Sequence, residues 1–245
     1  MAEFFIHGEL ADFLPLSRRG RALRRLLAAH ESAKHALESL GVPHTEVGEL
    51  WVDGEPATLS CRPGPDQRVD VLAVCPRPAP FPGEALRFIA DAHLGRLARY
   101  LRFAGIDTLW SNAWDDAELV TIAGDQRRVA LTRDRALLMH RALGAGCYLR
   151  TTRPLPQLAE VASRYAIDLR AGRPSLCLEC NVLPEPIASE LVADSLPRRT
   201  RAAFAEFWRC PCCARIYWRG SHWLRMRSRV EALAVSLEGG RSPPC

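Results

Sequence analysis

From Ala85 to Ala166 short apolar runs alternate with amphipathic runs: ALRFIAD, HLGRLARYLRFAG, DTLW, DDAELVTIAGD, RVALT, RDRALLMHRALG, CYLR and LPQLAEVASRYA. Strands that take turns with helices of about ten residues need crossover connections, and crossovers join parallel neighbours. The pattern therefore predicts a parallel sheet covered by helices. In such a sheet the carboxyl ends of the strands share one edge, where folds of this class keep their ligand sites.

The segments on either side read differently. CPRPAPFPG, residues 75–83, holds four prolines and resists both helix and inner strand, so it reads as a linker. Ahead of it, FFIHGEL alternates as a strand and ADFLPLSRRGR reads as a loop. SAKHALESLG reads as a helix capped by Ser32, with Ala33, Ala36, Leu37 and Leu40 on its apolar face and Gly41 at its stop. ELWVDGEPATL is hairpin-like around Asp53-Gly54, and QRVDVLAV is a last strand. That order is the order of a β-grasp, or ubiquitin-like, domain. The expected division is a β-grasp domain over 1–76, a linker over 77–84, a parallel-sheet α/β domain over 85–170, a cysteine module over 171–230 and a tail over 231–245.

At 48% hydrophobic the composition is that of an ordinary globular protein. No run reaches the roughly 18 apolar residues of a membrane span. His7 and Glu9 occupy the place where a signal peptide needs an apolar centre, so a cytoplasmic location without membrane attachment is expected. Lys plus Arg against Asp plus Glu stands at 9 to 11 over residues 1–80, 13 to 10 over 81–172 and 11 to 7 over 173–245. Positive charge thus gathers in the last two thirds, as a polyanion partner would require, although surpluses of this size are also common on solvated surfaces.

The acids of the alternating segment fall where the sheet edge is expected. Asp91 ends its first strand, Asp134 follows RVALT, and Asp115, Asp116 and Glu118 open the helix between them. Carboxylates gathered at close range repel one another unless a cation neutralises them, and oxygen ligands suit a hard ion such as Mg²⁺ or Mn²⁺. Such an ion supports phosphodiester hydrolysis. Each acid also has a plainer reading: Asp115 and Asp116 as helix caps, Asp134 as the cap of RALLMHRAL. Arg96, Arg99 and Arg102 recur every third residue after Asp91, and Arg133 flanks Asp134. Arg96, Arg99 and Arg133 are the phosphate-contact candidates. Arg102 reads as the polar side of an amphipathic helix.

The nine cysteines include two C-x-x-C pairs, Cys177 with Cys180 and Cys210 with Cys213. Two knuckles supply the four soft ligands of a tetrahedral structural Zn²⁺, a closed site with no position left for water. Cys212, inside the second knuckle, is an alternative ligand to Cys213. The long gap between the knuckles calls for an inserted helix, for which ASELVADSL is suited. Beyond them Arg215, Tyr217, Trp218, Arg219, His222, Trp223, Arg225 and Arg227 interleave cations with aromatics, which suits base stacking as well as packing of the ribbon onto its neighbour.

FIADAHLGRLARYLRFAGIDTLW, DDAELVTIA and RVALTRD together resemble the Mut-seven C-terminal RNase family, a branch of the PIN-like nucleases, over about residues 86–230. The terminal cysteine module with its YWRGSHW run is similar to the family's own, and GELADFLPLSRRGR with GVPHTEVGELWVDGEPA resembles the ubiquitin-like domain that precedes it in bacterial members. The resemblance implies a PIN-like fold and metal acids at Asp91, Asp116, with Glu118 nearby, and Asp134. Many PIN nucleases carry a fourth acid after the third. Arg135, Ala136 and Leu137 stand there, so Asp115 or Glu118 completes the set or one ion suffices. For the first domain, a sulfur-carrier role needs a free terminal Gly-Gly, whereas here the last strand runs on into Val74, Cys75 and Pro76. It reads instead as a docking module for a protein partner.

The expectation is a metal-dependent endoribonuclease, with exonuclease action as the alternative, acting on RNA with Mg²⁺ or Mn²⁺ at the acids and Zn²⁺ at the cysteines. Its rivals are a catalytically silent RNA-binding adaptor and a scaffold led by the β-grasp domain.

Overall fold

The structure, a computed structural model, describes residues 1–73, 80–192 and 195–239. The first half of the proline-rich stretch, with Cys75, lies outside the described residues, as does Cys245.

The first sheet contains β1 (Ala2–Ile6), β2 (Leu23–Arg25), β3 (Glu49–Val52), β4 (Glu55–Ala57) and β5 (Arg68–Leu72), with α1 (Ala33–Ser39) packed on its core. The order is β2-β1-β5-β3-β4, with β1 and β5 parallel and the other neighbours antiparallel, a ubiquitin-like arrangement. β1 alternates, so Phe4 and Ile6 face inward. The Ser32 side chain caps α1 by accepting from the His35 amide, and Gly41 stops the helix at a φ of +95°. Asp53 and Gly54 both take positive φ, as the tight β3–β4 turn needs. One strand departs from expectation: β2 follows the stretch that reads as a loop, in residues for which no element is expected. It has a single buried residue, Leu23, and Arg24 reaches across to Glu3 at 2.7 Å.

The second sheet follows the alternation. Its elements are β6 (Phe88–Ala90), α2 (Gly95–Phe103), β7 (Thr108–Trp110), α3 (Asp116–Asp125), β8 (Val129–Thr132), α4 (Arg135–Leu138), β9 (Gly146–Tyr148) and α5 (Pro154–Arg164). All four strands are parallel in the order β7-β6-β8-β9. Phe88 and Leu131 point to one face, under Leu97 and Leu101 of α2 and Leu158 and Val161 of α5. Ile89 and Ala130 point to the other, under Leu119 and Val120 of α3 and Leu137 and Leu138 of α4. RDRALLMHRALG predicts a longer helix than α4. The chain leaves it at Met139, and Leu143 joins Leu137 and Leu138 in the core from the following turn.

The third part holds β10 (Glu185–Ile187), α6 (Arg198–Ala203), β11 (Phe207–Arg209), β12 (Ile216–Tyr217) and α7 (Ser221–Gly239). The three strands form an antiparallel sheet. Within ASELVADSL, of which residues 193 and 194 lie outside the described residues, the structure has a 3-10 turn, Ser189–Val192, and an α-helix comes later, at α6. α7 continues through residue 231, where a tail is expected, because Met226, Val230 and Ala234 lie one turn apart on its buried side. Met226 and Val230 enter the core of the parallel sheet. No helix among the described residues is long and apolar enough to cross a membrane.

The ubiquitin-like domain docks on the β9 edge of the parallel sheet. The fully buried Glu46 carboxylate accepts from the Tyr148 amide at 2.7 Å and from Arg164 at 2.9 Å, and Arg164 also reaches Glu9 at 3.2 Å. This satisfies a strand edge that would otherwise invite another chain. Gly146 is required there, since a Cβ would stand 2.4 Å from Leu138 and 3.2 Å from Thr45. One surface of the domain expected to dock a partner is thus committed to its own chain.

Candidate active site and metal centre

The carboxyl edge of the parallel sheet brings Asp91 and Asp134 together through one hydroxyl. Thr132, fully buried as the last residue of β8, donates from Oγ1 to Asp91 Oδ2 at 2.6 Å and accepts from the Asp134 amide at 2.9 Å. The Asp91 carboxylate and the Asp134 backbone amide therefore share that oxygen. The ladder continues to them, with the Asp91 amide donating to the Leu131 carbonyl at 3.0 Å. The turn after Asp91 is fixed by Trp110, whose ring nitrogen donates to the Ala92 carbonyl at 3.0 Å. The same ring lies against Gly95, where a Cβ would meet it at 2.6 Å. Only glycine permits that approach.

The remaining acids sit at the start of α3, on the same edge. Asp115 and Glu118 form a reciprocal capping box, at 2.8 and 3.2 Å between side chains and amides. Asp116, the first residue of α3, is exposed, and its carboxylate has no hydrogen-bond or ion-pair partner among the described residues. Asp134 also caps α4, its Oδ1 accepting from the Ala136 amide at 2.7 Å. The plainer reading thus holds for Asp115 and Asp134 as far as one oxygen each, and Asp116 makes no side-chain cap. Among the described residues, the carboxylates of Asp91, Asp116, Glu118 and Asp134 do not gather as a group of three or more close enough to share one ion.

Of the arginines, Arg96 and Arg133 are exposed, and Arg99 bonds Glu179 at 2.9 Å. Arg102 corrects its reading as the polar side of an amphipathic helix. It is buried at 2% exposure and donates to the carbonyls of Thr108, Leu178 and Glu179 at 2.8, 2.8 and 3.0 Å. It locks the first cysteine knuckle to α2. Burial pulls its pKa below the ordinary guanidinium value, against the pull of Glu179 and the nearby thiols. Asn181 makes a second lock, accepting from the Thr108 amide at 2.9 Å and donating to Asp107 at 2.6 Å. Asp107 also pairs with buried Arg128 at 2.7 Å. Burial would raise the Asp107 pKa, but Arg128 and Asn181 outweigh it and hold the carboxyl below its usual range.

Four sulfurs meet at the end of the molecule. Those of Cys177, Cys180, Cys210 and Cys213 all lie within 4.8 Å of one another, and Cys212 is exposed beside them. Cys177 and Cys213 are 3.7 Å apart, close to the edge of about 3.8 Å of a tetrahedron with Zn–S bonds of about 2.3 Å. Burial pushes the Cys177 thiol up, but the Tyr217 hydroxyl at 3.1 Å and the amides of Cys180 and Glu179 outweigh it, lowering its pKa to about 7. The lowered pKa favours the thiolate, the form that binds a metal. This donor set fits zinc.

Sequence reasoning missed Thr132 and the two locks. The hydroxyl at the end of an apolar run, two residues before Asp134, was the available signal. Comparison with curated proteins and with solved structures finds no match. Two family profiles do match: the Mut7-C RNAse domain over residues 86–230 and the Mut7-C ubiquitin domain over residues 1–80. The first spans more than half the chain and includes the acid edge and the cysteine cluster. The chain therefore belongs to the Mut7-C RNase family, with a ubiquitin-like domain ahead of a ribonuclease-like domain.

Proposed function

We propose that the chain is a divalent-cation-dependent ribonuclease that cuts within RNA strands at the edge formed by Asp91, Asp116 and Asp134. The observation that carries this reading is that the ends of two neighbouring parallel strands are tied by the Thr132 hydroxyl, which holds the Asp91 carboxylate on one side and the backbone of Asp134 on the other. Among the described residues none of the three carboxylates is paired with an arginine, in a chain whose structural acids Glu9, Glu46, Asp107 and Glu179 all are. Unneutralised oxygen donors of this kind fit Mg²⁺ or Mn²⁺. Asp91, Asp116 and Asp134 would hold the ion, with Glu118 close by. When bound, it would supply activation of water and offset the charge that builds on phosphorus.

The protein's own groups do the rest. Thr132 orients Asp91, and the cap on Asp134 leaves its Oδ2 free to face the edge. Arg96, Arg99 and Arg133 take phosphates of the bound strand. The exposure of Asp116 and Asp134 keeps the edge open, which suits an internal phosphodiester better than a chain end. Zn²⁺ at the four cysteines is structural.

A second reading, a silent RNA-binding adaptor, draws on the capping roles of Asp115, Glu118 and Asp134. One assay decides between them: labelled single-stranded and structured RNAs with Mn²⁺, with Mg²⁺ and with chelator, beside Asp91→Asn and Asp134→Asn. The expected result is metal-dependent cleavage, reduced at least about 100-fold in both variants while RNA binding persists. Cleavage that survives in both excludes this site, and binding without cleavage by the unaltered protein favours the adaptor.

A further inference from the structure

Beside the acid edge the structure holds an open groove of about 530 Å³, walled by α2, the start of α5, the first cysteine knuckle and α7. Five arginines line it, Arg96 and Arg99 from α2, Arg153 from the α5 cap, Arg215 from the ribbon and Arg229 from α7, together with His222. Among the described residues Glu179 is the only carboxylate on its walls, and it is shared by Arg99 and Arg215 at 2.9 and 3.0 Å. So much like charge on converging walls is unfavourable unless an anion answers it.

We infer that this groove is the track for single-stranded RNA flanking the scissile phosphate, and that the cysteine module is one of its walls. The inference rests on the ribonuclease reading for its substrate and extends it to a surface drawn from four elements. The near end is placed by Arg96, in the first turn of α2 and one 3-10 turn beyond Asp91. The far end reaches Arg215, past the first knuckle. Guanidiniums spread along an open cleft suit successive phosphates of a chain better than one small anion, which would need them converged on a point. Half-buried Tyr100, whose hydroxyl Arg229 meets at 3.4 Å, adds an aromatic residue to the lining. The Glu179 bridges hold two of the guanidiniums in register, and Arg102 fixes the backbone of the same knuckle. The zinc module thus shapes the groove without touching the acids.

The test is binding of a fluorescein-labelled oligouridylate to the full zinc-loaded chain, by anisotropy, in chelator too weak to strip the cysteines and across a salt series. Arg153→Ala and Arg229→Ala lie on separate elements away from the cysteines. Each should weaken binding about tenfold, the order expected when a charge-assisted contact is lost. Each should also flatten the salt slope by roughly 0.7 per phosphate contact on a single strand. Arg198→Ala and Arg199→Ala, each the same single-charge change on α6 outside the groove, should alter neither. Equal losses from the α6 pair, or no loss from Arg153 and Arg229 in folded, zinc-replete protein, overturn the groove. Preference for an acidic peptide over the oligonucleotide overturns it as well. Because no cleavage is needed, groove-dependent binding with no nuclease activity would refute the acid edge and leave the groove standing, and cleavage unaffected by Arg153→Ala and Arg229→Ala would do the reverse.

Discussion

At the residue scale, the account turns on one threonine. Thr132 is fully buried and has a hydrogen-bond partner on either side of its hydroxyl, so Thr132→Val keeps the volume while leaving the Asp134 amide and an Asp91 oxygen without it. A loss of about 1–3 kcal/mol of stability is expected by denaturant titration, with a fall in cleavage rate larger than the stability loss explains. Placement of Asp91 and Asp134 at strand ends was legible because strand period and helix period differ so clearly in this segment. Thr132 was not, since a hydroxyl closing an apolar run looks like an ordinary strand end. Arg102 misled for another reason: its carbonyl partners on the knuckle lie 76 and 77 residues away, and periodicity reports only which face of a helix a residue occupies.

At the scale of elements, the parallel sheet and its four helices followed from alternation alone, while short elements escaped. β2 has three residues, two of them arginine, and is a strand only because β1 offers it an edge. α7 went further than expected because its buried residues serve the core of another module. The cysteine knuckles were legible from spacing. Metal analysis should find about one zinc per chain, lost on Cys180→Ser, since four thiolates complete one site. Asp107, which joins the knuckle to β7, predicts a pH effect. Its folded pKa lies below the ordinary value, so the pair stabilises fully above about pH 4 and loses that contribution as pH falls through the depressed value. Asp107→Asn should flatten this acid limb in denaturation curves and cost roughly 1–3 kcal/mol at neutral pH, the lower end of what a buried pair would give because Asp107 is partly exposed. An unchanged acid limb would remove Asp107 from the account.

At the scale of the whole molecule, the ubiquitin-like domain is bound to the parallel sheet by Glu46 and Arg164, which are 118 residues apart and gave no local signal. Burial alone would lower the Arg164 pKa, but Cys147, Glu46 and Glu9 reverse this and raise it, so the guanidinium stays charged inside the interface. Glu46→Ala should destabilise by about 3–5 kcal/mol, because it strands a buried cation, whereas Glu46→Ala with Arg164→Met should recover much of that loss. Equal losses in the single and double variants, read by denaturant titration, would show that the pair does not hold the domains together. Beyond the docked domain, the proposed hard-cation edge and the cysteine cluster draw on separate residues. Titration of Mn²⁺ into the full chain, followed by the paramagnetic resonance signal of the free ion, tests that assignment most directly. Saturable binding that disappears in both Asp91→Asn and Asp134→Asn is the predicted result, and Mn²⁺ bound equally by the unaltered protein and both variants would contradict it.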